Sequence, residues 1–373
     1  MEKIIKHVYI HYPFCTTQCG YCSFYTEQFS AKLQETYLKT LAKEIEYYQA
    51  NSNYKFELET IYFGGGTPSL LAPRIIKAIT DMIIGENNHC EITMECNPIT
   101  LSQTYVEELT ISSVNRVSLG IQSMNSIILK YIGRKHSPQQ VIELLRNLRN
   151  NGYDNISGDL IYGIPYQTIS DVKADIESFI KLNLDHISIY CLSLADDAPL
   201  AKDKKLIPDD DIVANMYQLI CKKLTEAGYN QYEISNFARN NKYSRHNLAY
   251  WEQKDYLGLG PGAYQTIGNI RCNHGTFNEW QADIGFGRLY PNKEVLSDKD
   301  KVNEYIMLQL RLNKGLDPEQ LIQKYSFDIR KEKKAIIAEF MKTGLLKENQ
   351  ERLCLTNKSR FISNYVISEL MED

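Results

Sequence analysis

The chain has 373 residues and a formal net charge of −4, with 43% hydrophobic and 24% charged residues, as in an ordinary globular protein of one large or two smaller domains. This balance argues against a strongly basic binder of nucleic acid or of an anionic membrane surface. No segment reaches the roughly 18 apolar residues of a membrane span, and the short apolar run near the start lacks a signal-peptide cleavage site, so we expect a cytoplasmic protein.

Strands and helices alternate from the start of the chain to about residue 227. Apolar residues recur at helical spacing in Ala31–Ala50 and in the later inter-strand segments, which predicts amphipathic helices. Short β-branched and aromatic runs predict six strands: Lys6–His11, Thr60–Phe63, Glu91–Cys96, Val114–Ile121, Asn155–Tyr162 and His186–Leu192. This order indicates an α/β fold of parallel βα units, wound by right-handed crossovers into an open sheet or a barrel.

The alternation stops near Tyr229. We predict one further strand at Tyr232–Phe237 and a domain boundary within Gly285–Asp298, which gives domains at 1–290 and 291–373. The last domain reads as helices followed by a short hairpin, and it therefore predicts a small winged-helix-like α+β module. Its 13 Lys and Arg against 11 Asp and Glu from residue 301 onward do not form a concentrated basic stretch, so we expect a packing role and no nucleic-acid partner.

Three cysteines lie close together directly after the first predicted strand. Cys15, Cys19 and Cys22 are spaced by four and three residues, which brings three thiolates around one point. Closely spaced cysteines bind iron–sulfur clusters, and three sulfurs on a four-iron cluster leave one iron open for a substrate or cofactor. Zinc is the alternative, although zinc sites usually combine paired Cys-x2-Cys elements or histidines, and no second cysteine pair follows.

The other cysteines occur singly along the chain. They are Cys90, Cys96, Cys191, Cys221, Cys272 and Cys354. Scattered single cysteines are typical of buried thiols in a reducing compartment, which agrees with a cytoplasmic protein.

Glycine and polar residues mark the ends of the predicted strands. The run Gly64–Pro68 follows the second strand, and a polar set follows or closes the others: Glu95, Gln122, Arg134 and Asp159. Barrel-like α/β proteins build their sites at the carboxyl ends of parallel strands, so we expect these residues to share one rim. The polar set is suited to an amino-acid cation, a carboxylate and a ribose, and the glycines permit a close approach to the backbone.

The Cys-x3-Cys-x2-Cys loop resembles the signature of the radical SAM superfamily. The resemblance implies a partial (β/α)6 barrel in which Cys15, Cys19 and Cys22 hold a 4Fe-4S cluster, and the open iron of that cluster binds S-adenosylmethionine (SAM). It also implies an electron donor, because one-electron reduction cleaves SAM to a 5′-deoxyadenosyl radical. The protein then supplies placement and shielding for chemistry that belongs to the cofactors.

Three longer stretches narrow the resemblance: Tyr9–Cys15, Tyr62–Ser69 and Asp159–Pro165. Together they are similar to the oxygen-independent coproporphyrinogen III oxidases and to the HemW-type heme chaperones, over nearly the whole chain. This resemblance implies that three residues lie near the methionine end of SAM: Gly66, Thr67 and Glu95. It implies that three others fix the ribose and carboxylate: Gln122, Arg134 and Asp159. Tyr9 and Tyr21 match aromatic neighbours of the same site.

Two departures favour the chaperones over the oxidases. The oxidases carry a further cysteine two residues after the third ligand, where this chain has Phe24. They also have an N-terminal extension before the cluster loop, whereas here the first ligand is already residue 15. Both features weigh against the decarboxylation of coproporphyrinogen.

Within the segment near 229–265, Arg245–Trp251 resembles the His-Asn-x-x-Tyr-Trp pattern of HemW proteins. If it is helical, His246 with Tyr250 and Asn247 with Trp251 form two i, i+4 pairs. They combine an imidazole able to ligate heme iron with aromatic surface for a porphyrin. We therefore predict that heme is a cargo passed to heme-accepting proteins, soluble ones or membrane-bound ones that the chain contacts peripherally.

Other functions stay open on the sequence alone. The motif of Arg245–Trp251 has a structural alternative, in which its aromatic residues anchor a loop and the histidine caps it. The chain as a whole has two: a radical SAM oxidoreductase acting on a porphyrinogen or another substrate, and a zinc-stabilised interaction protein.

Overall fold

The structure, a computed structural model, describes residues 3–84, 89–196, 198–289 and 291–372. Its main sheet contains six parallel strands in chain order: β1 (Lys3–Tyr12), β2 (Tyr54–Gly65), β3 (Glu91–Cys96), β4 (Arg116–Gln122), β5 (Ile156–Tyr162) and β6 (His186–Cys191). Each runs next to its predecessor, as right-handed βα units require. This arrangement confirms the predicted α/β fold, a partial (β/α)6 barrel.

The helices between and after these strands are α1 (Ala31–Ala50), α2 (Pro73–Ile84), α3 (Gln103–Leu109), α4 (Ser126–Tyr131), α5 (Pro138–Asn150), α6 (Ile169–Lys181) and α7 (Asp210–Glu226). Side-chain caps begin several of them. Ser30 accepts from the Leu33 amide at the start of α1, and Thr168 with Asp171 forms a capping box on α6. The apolar faces of all but α4 pack with alternate buried residues of the strands into one core, whereas α4 belongs to a separate apolar cluster.

The segment after α7 completes the sheet at both edges. It contains β7 (Asn230–Gln231), β8 (Asn236–Ala238), α8 (Arg245–Trp251) and β9 (Leu257–Leu259). Strand β8 pairs antiparallel with β6, and β9 pairs parallel with β1, so the sheet order is β9-β1-β2-β3-β4-β5-β6-β8-β7. The predicted single strand at Tyr232–Phe237 is wrong: the Tyr232 amide donates to the Asn236 carbonyl, which turns the chain into a tight hairpin.

The remaining elements are β10 (Tyr264–Ile267), β11 (Ile270–Asn273), α9 (Phe277–Gly285), β12 (Glu294–Val295), α10 (Asp298–Arg311), α11 (Pro318–Tyr325), α12 (Ile329–Glu332), α13 (Lys334–Lys342), β13 (Leu346–Asn349), β14 (Arg352–Leu355) and α14 (Ser363–Leu370). From α10 onward, the helices and the hairpin β13–β14 enclose a second hydrophobic core, so a small α+β module is present. The boundary predicted at residue 290 falls before this core, and Tyr290 itself lies outside the described residues. A search of the described residues finds no helix with the length and apolarity to cross a membrane.

Candidate functional site

A cavity of about 370 Å³ opens at the carboxyl ends of the parallel strands. Predicted site residues line it: Cys15, Cys19, Tyr21, Cys22, Gly66, Thr67, Glu95, Gln122, Arg134 and Asp159. Gly65 of β2 and Cys191 of β6 line the same cavity although three strands separate them, so the sheet is strongly curved. The structure therefore brings together all of the predicted cluster and SAM residues except Tyr9.

The cysteine loop is fixed to the barrel by its backbone. The Gly20 amide donates to the Ile132 carbonyl over 3.1 Å, and the Gly20 carbonyl accepts from the Leu200 amide over 2.8 Å. The three thiols are half-buried and face the cavity, and burial raises the pKa of Cys15 and Cys22. Within the described part of the chain, no three His, Cys, Asp or Glu side chains are gathered closely enough to hold a single metal ion.

The glycine run packs directly against the cysteine loop. The amides of Gly66 and Thr67 donate to the carbonyls of Tyr12 and Phe14 over 2.8 and 2.9 Å. A Cβ on Gly66 would lie 2.7 Å from the Phe14 carbonyl oxygen, which no side chain tolerates. The Thr67 hydroxyl lies 3.3 Å from the Cys15 Sγ. Glycine is thus required here for the contact between two loops as well as for access to the cavity.

Glu95 places a carboxylate at the floor of the cavity. Its Oε1 accepts from the Tyr62 hydroxyl over 2.8 Å, and its Oε2 accepts from the Gly65 amide over 3.2 Å. Burial raises the pKa of Glu95 to about 7, against the two hydrogen bonds, which favour the ionised form. The same cause raises the pKa of Asp159 to about 6, opposed by the hydroxyls of Ser188 and Ser118. A cation beside them would favour the ionised form of both carboxyl groups.

Gln122 and Arg134 carry polar atoms without a partner among the described residues. These are the Gln122 Oε1 and the Arg134 Nε, and both are buried. Gln122 also has a φ of 67°, a left-handed conformation that costs energy for a residue other than glycine. Arg134 donates through Nη1 to the Cys19 Sγ over 3.6 Å and through Nη2 to the Asn97 Oδ1 over 3.2 Å. The unpaired atoms beside the thiols fit a polar ligand that supplies one donor and one acceptor.

Tyr9 lies below the cavity, where its hydroxyl is 3.0 Å from the His11 Nδ1 and its ring stacks near Tyr62 at 6.1 Å. Our sequence analysis did not assign a role to Tyr62 or Asn97. Alternation along β2 could have indicated Tyr62, because Thr60, Tyr62 and Gly64 face the same side of the strand. Asn97 had a clearer signal, since it directly follows β3 and lines the cavity.

The helix α8 closes the opposite end of the barrel. The Ser244 hydroxyl caps it, and the Glu91 carboxylate, at the start of β3, accepts from the amides of Arg245 and His246 over 3.2 Å each. This is the interaction expected of an acidic side chain with the free amides of a helix start. The segment Arg245–Trp251 is helical, which was the condition for its two i, i+4 pairs. It sits at the amino-terminal end of strands whose carboxyl ends carry the cysteine loop.

His246 is completely buried inside the barrel, with 0% of its surface exposed. Its Nδ1 lies 2.7 Å from the Thr60 Oγ1, and its Nε2 lies 2.9 Å from the Tyr250 hydroxyl. Burial lowers the pKa of His246 to about 3. In this conformation the imidazole that we predict as a ligand of heme iron has no free nitrogen, because both nitrogens are hydrogen-bonded and the ring is buried.

The rest of the motif contacts the C-terminal module. The Trp251 carbonyl accepts from the Gln309 Nε2 over 2.7 Å, and the Arg311 guanidinium lies 5.9 Å from the Trp251 ring. Asn247 donates through its backbone amide to the Ser244 Oγ. The motif thus lies between the base of the barrel and α10. His246 and Ala249 are buried, Arg245 is exposed, and the remaining residues, which include Asn247, Tyr250 and Trp251, are partly accessible.

Comparison with known families agrees with this geometry. A model of the radical SAM superfamily matches residues 9–179, and a model of the HemN C-terminal domain matches residues 296–362. The heme chaperone HemW of Lactococcus lactis is 34% identical over 98% of this chain and 97% of its own length. The chain belongs to the HemW family of the radical SAM superfamily.

Further relatives and one solved structure extend the comparison. HemW of Bacillus subtilis is 30% identical over 98% of this chain and 99% of its own length. The mitochondrial radical SAM domain-containing protein 1 of Danio rerio is 32% identical over 84% of this chain and 76% of its own. Coproporphyrinogen III oxidase (HemN) from Escherichia coli superposes with a TM-score of 0.85 over 99% of this chain and 90% of its own, at 22% identity, which shows a shared fold.

Proposed function

We propose that the chain is a heme chaperone that binds a 4Fe-4S cluster, SAM and heme, and passes the heme to acceptor proteins. The observation that carries this proposal is the similarity to HemW heme chaperones over 98% of the chain. The Arg245–Trp251 motif supports it, and so does Phe24, which stands where the oxidases have a cysteine. We place the protein in the cytoplasm, because its described cysteines are all free thiols.

Cys15, Cys19 and Cys22 hold the cluster in this proposal, since all three line one cavity. A cluster held there would supply one-electron reduction of SAM, with the electron coming from an external donor. Glu95 attracts the cationic amino group of SAM. The unpaired Arg134 Nε and Gln122 Oε1 bind its carboxylate and ribose together with Asp159. Tyr21 and the backbone of Gly66–Thr67 shape the surrounding wall.

Heme is the cargo and binds at the base of the barrel through His246 in this proposal. Ligation requires α8 to move, because both imidazole nitrogens are engaged and the ring is fully buried. The partners are heme-accepting proteins, in the cytoplasm or at a membrane surface, and no nucleic acid. The accessible edge at Asn247, Tyr250 and Trp251 is where a porphyrin first meets the motif.

Heme titration of the purified chain tests the function. His186→Ala is a matched control, because His186 is also 0% exposed and has both nitrogens bonded, to Ser157 and Tyr232. We expect the wild-type chain and His186→Ala to give the same Soret band and affinity, and His246→Ala to lose at least tenfold in affinity, about 1.4 kcal/mol. An unchanged Soret band in His246→Ala would refute the assignment of His246 as the heme ligand. Failure of the wild-type chain to bind heme would refute the proposed chaperone function.

Two further measurements address the alternatives. Anaerobically purified protein should contain about four irons per chain and be brown; a colourless preparation with zinc would support the interaction protein. With reduced cluster, SAM and coproporphyrinogen III, we expect no protoporphyrinogen. Formation of protoporphyrinogen over many turnovers would show that the chain is an oxidase and would contradict the chaperone function. Release of 5′-deoxyadenosine alone is compatible with both functions.

A further inference from the structure

A short series of contacts joins the motif helix to the cofactor cavity. The His246 ring stacks on the Tyr62 ring with centroids 5.1 Å apart and planes 28° apart. The Tyr62 hydroxyl donates to the Glu95 Oε1 over 2.8 Å, and Glu95 faces the cavity. A single aromatic residue thus contacts both the predicted heme ligand and the carboxylate of the predicted SAM site.

Tyr62 packs in a cluster with two other rings, since Tyr9 and His246 both lie beside it and are 6.5 Å from each other. Tyr9 stacks near it at 6.1 Å and His246 at 5.1 Å, and Tyr62 is almost fully buried. The Thr60 hydroxyl, two residues earlier on β2, lies 2.7 Å from the His246 Nδ1 and 2.9 Å from the His7 Nδ1. Because buried side chains are close-packed, Tyr62 keeps its position only while the His246 ring stays in the barrel.

Ligation of heme iron removes the His246 ring from that position. A porphyrin cannot enter the packed interior, so the imidazole must leave it, and it must give up the Tyr250 or the Thr60 hydrogen bond to free a nitrogen. Tyr62 then loses the ring that supports it. The Tyr62 hydroxyl also favours the ionised form of Glu95, whose pKa burial raises to about 7. Displacement of Tyr62 therefore leaves Glu95 more often protonated and less attractive to a cation.

We infer that Tyr62 is a positioning residue that couples the two ends of the barrel: heme ligation by His246 weakens SAM binding, and SAM binding holds His246 inside. The two effects are equal in size, since coupling between two binding equilibria is reciprocal. The heme half of this inference rests on the proposed heme function, whereas the positioning of Glu95 by Tyr62 does not. Through this coupling, bound SAM favours the conformation with His246 inside the barrel, and bound heme favours the conformation with His246 outside it.

The SAM half is tested on the full-length protein with reconstituted, oxidised cluster, so that SAM binds without cleavage. Tyr62→Phe removes only the hydroxyl and keeps the stacked ring. We expect its SAM dissociation constant to rise about tenfold, the effect of losing one hydrogen bond to a charged group. Tyr232→Phe is the matched control, because the Tyr232 hydroxyl bonds the other buried imidazole, of His186, and should change SAM affinity less than about twofold.

The pH dependence separates positioning from general damage to the fold. Without the Tyr62 hydroxyl, the pKa of Glu95 rises, so raising the pH by about two units should restore most of the SAM affinity of Tyr62→Phe. Wild-type affinity in Tyr62→Phe, or a loss that is the same at every pH, would overturn the role of Tyr62.

The heme half is tested by repeating the SAM titration with saturating heme. We expect a SAM dissociation constant about tenfold higher than without heme in the wild-type chain, and little further effect of heme in Tyr62→Phe. Heme that binds without changing SAM affinity would overturn the coupling. Heme that does not bind at all would refute the proposed function, and the Tyr62→Phe titration would still decide the positioning of Glu95.

Discussion

The two ends of the barrel differ in how far their polar groups are satisfied. At the rim, the Gln122 Oε1 and the Arg134 Nε have no partner among the described residues, and the thiols of the cysteine loop face a cavity. At the base, His246 and His186 are both buried and each has both ring nitrogens bonded. The rim therefore offers unpaired polar groups to a ligand, whereas the two imidazoles at the base are already bonded at both nitrogens. The His7 Nε2 and the Trp251 Nε1 at the base are nevertheless buried without a partner among the described residues.

This contrast has a physical consequence for the two ligands. A pre-formed rim binds its ligand without reorganisation, because the unpaired groups already pay the cost of desolvation. A satisfied base binds only after its internal hydrogen bonds are exchanged for new ones, so its apparent affinity is reduced by the small fraction of open conformers. In the proposed function, a cargo site of this kind would hold heme more weakly than an exposed imidazole, which suits a ligand that must be handed on.

The largest expected effect concerns the rim. Cys19→Ser should abolish binding of the cluster, because it removes one of three sulfur ligands and the contact from Arg134. The measurement is iron and acid-labile sulfide per chain after anaerobic reconstitution. Cys221→Ser, at a half-buried thiol on α7, is the control and should keep its iron. Equal iron in both variants would show that the loop does not hold the metal.

The second effect concerns the base. His246→Ala should lower the free energy of unfolding by about 3 kcal/mol, since it opens a cavity, leaves the Tyr250 hydroxyl without the imidazole and removes one of the two imidazole partners of Thr60. Denaturant unfolding of the cluster-free protein measures this. Tyr250→Phe removes one of these hydrogen bonds and should cost about 1 kcal/mol. If His246→Ala were as stable as the wild-type chain, the packing and hydrogen bonds of His246 would not stabilise the base of the barrel.

The third effect is a pH dependence of stability that has opposite signs at the two ends of the barrel. The pKa of Glu95 is raised from 4.5 to about 7. Between these two pH values the folded state binds more protons than the unfolded state, so the free energy of unfolding falls as the pH rises. The pKa of His246 is lowered to about 3 from 6.5, so its contribution falls as the pH drops below 6.5.

Glu95→Gln should therefore gain about 2 kcal/mol of unfolding free energy relative to the wild-type chain between acid and neutral pH, in cluster-free protein. Unfolding curves at several pH values measure this difference. Glu108→Gln, at an exposed position on α3, should show no such trend. A constant difference for Glu95→Gln across the window would mean that the rim carboxyl is not held in its neutral form.

The smallest effect concerns Phe24, which lies beside the cysteine loop with 71% of its surface exposed. Phe24→Ala should change the free energy of unfolding by less than about 0.5 kcal/mol and leave the iron content unchanged. The same two assays measure it. Loss of iron in this variant would show that Phe24 supports the cluster although its side chain is largely exposed.

Much of the rim could be predicted because its signals are local in the sequence. The spacing of Cys15, Cys19 and Cys22, the run Gly64–Pro68 and the polar strand ends each fall in one short stretch, and parallel strands collect such ends at one edge. Asn97 lines the cavity and follows β3, but it was given no role. The strand predicted at Tyr232–Phe237 was wrong, because a short segment of mixed apolar and polar residues is equally compatible with a tight turn.

The sequence by itself determined the family, the parallel α/β fold and the cysteine loop, because these depend on residue spacing within short stretches of the chain. Only the tertiary structure decided the environment of His246. Spacing at i, i+4 pairs it with Tyr250 but does not indicate whether the pair faces solvent or the barrel. The Glu91 carboxylate on the helix start and the Tyr62 ring under the imidazole turn it inward, and these partners lie more than 150 positions away in the chain.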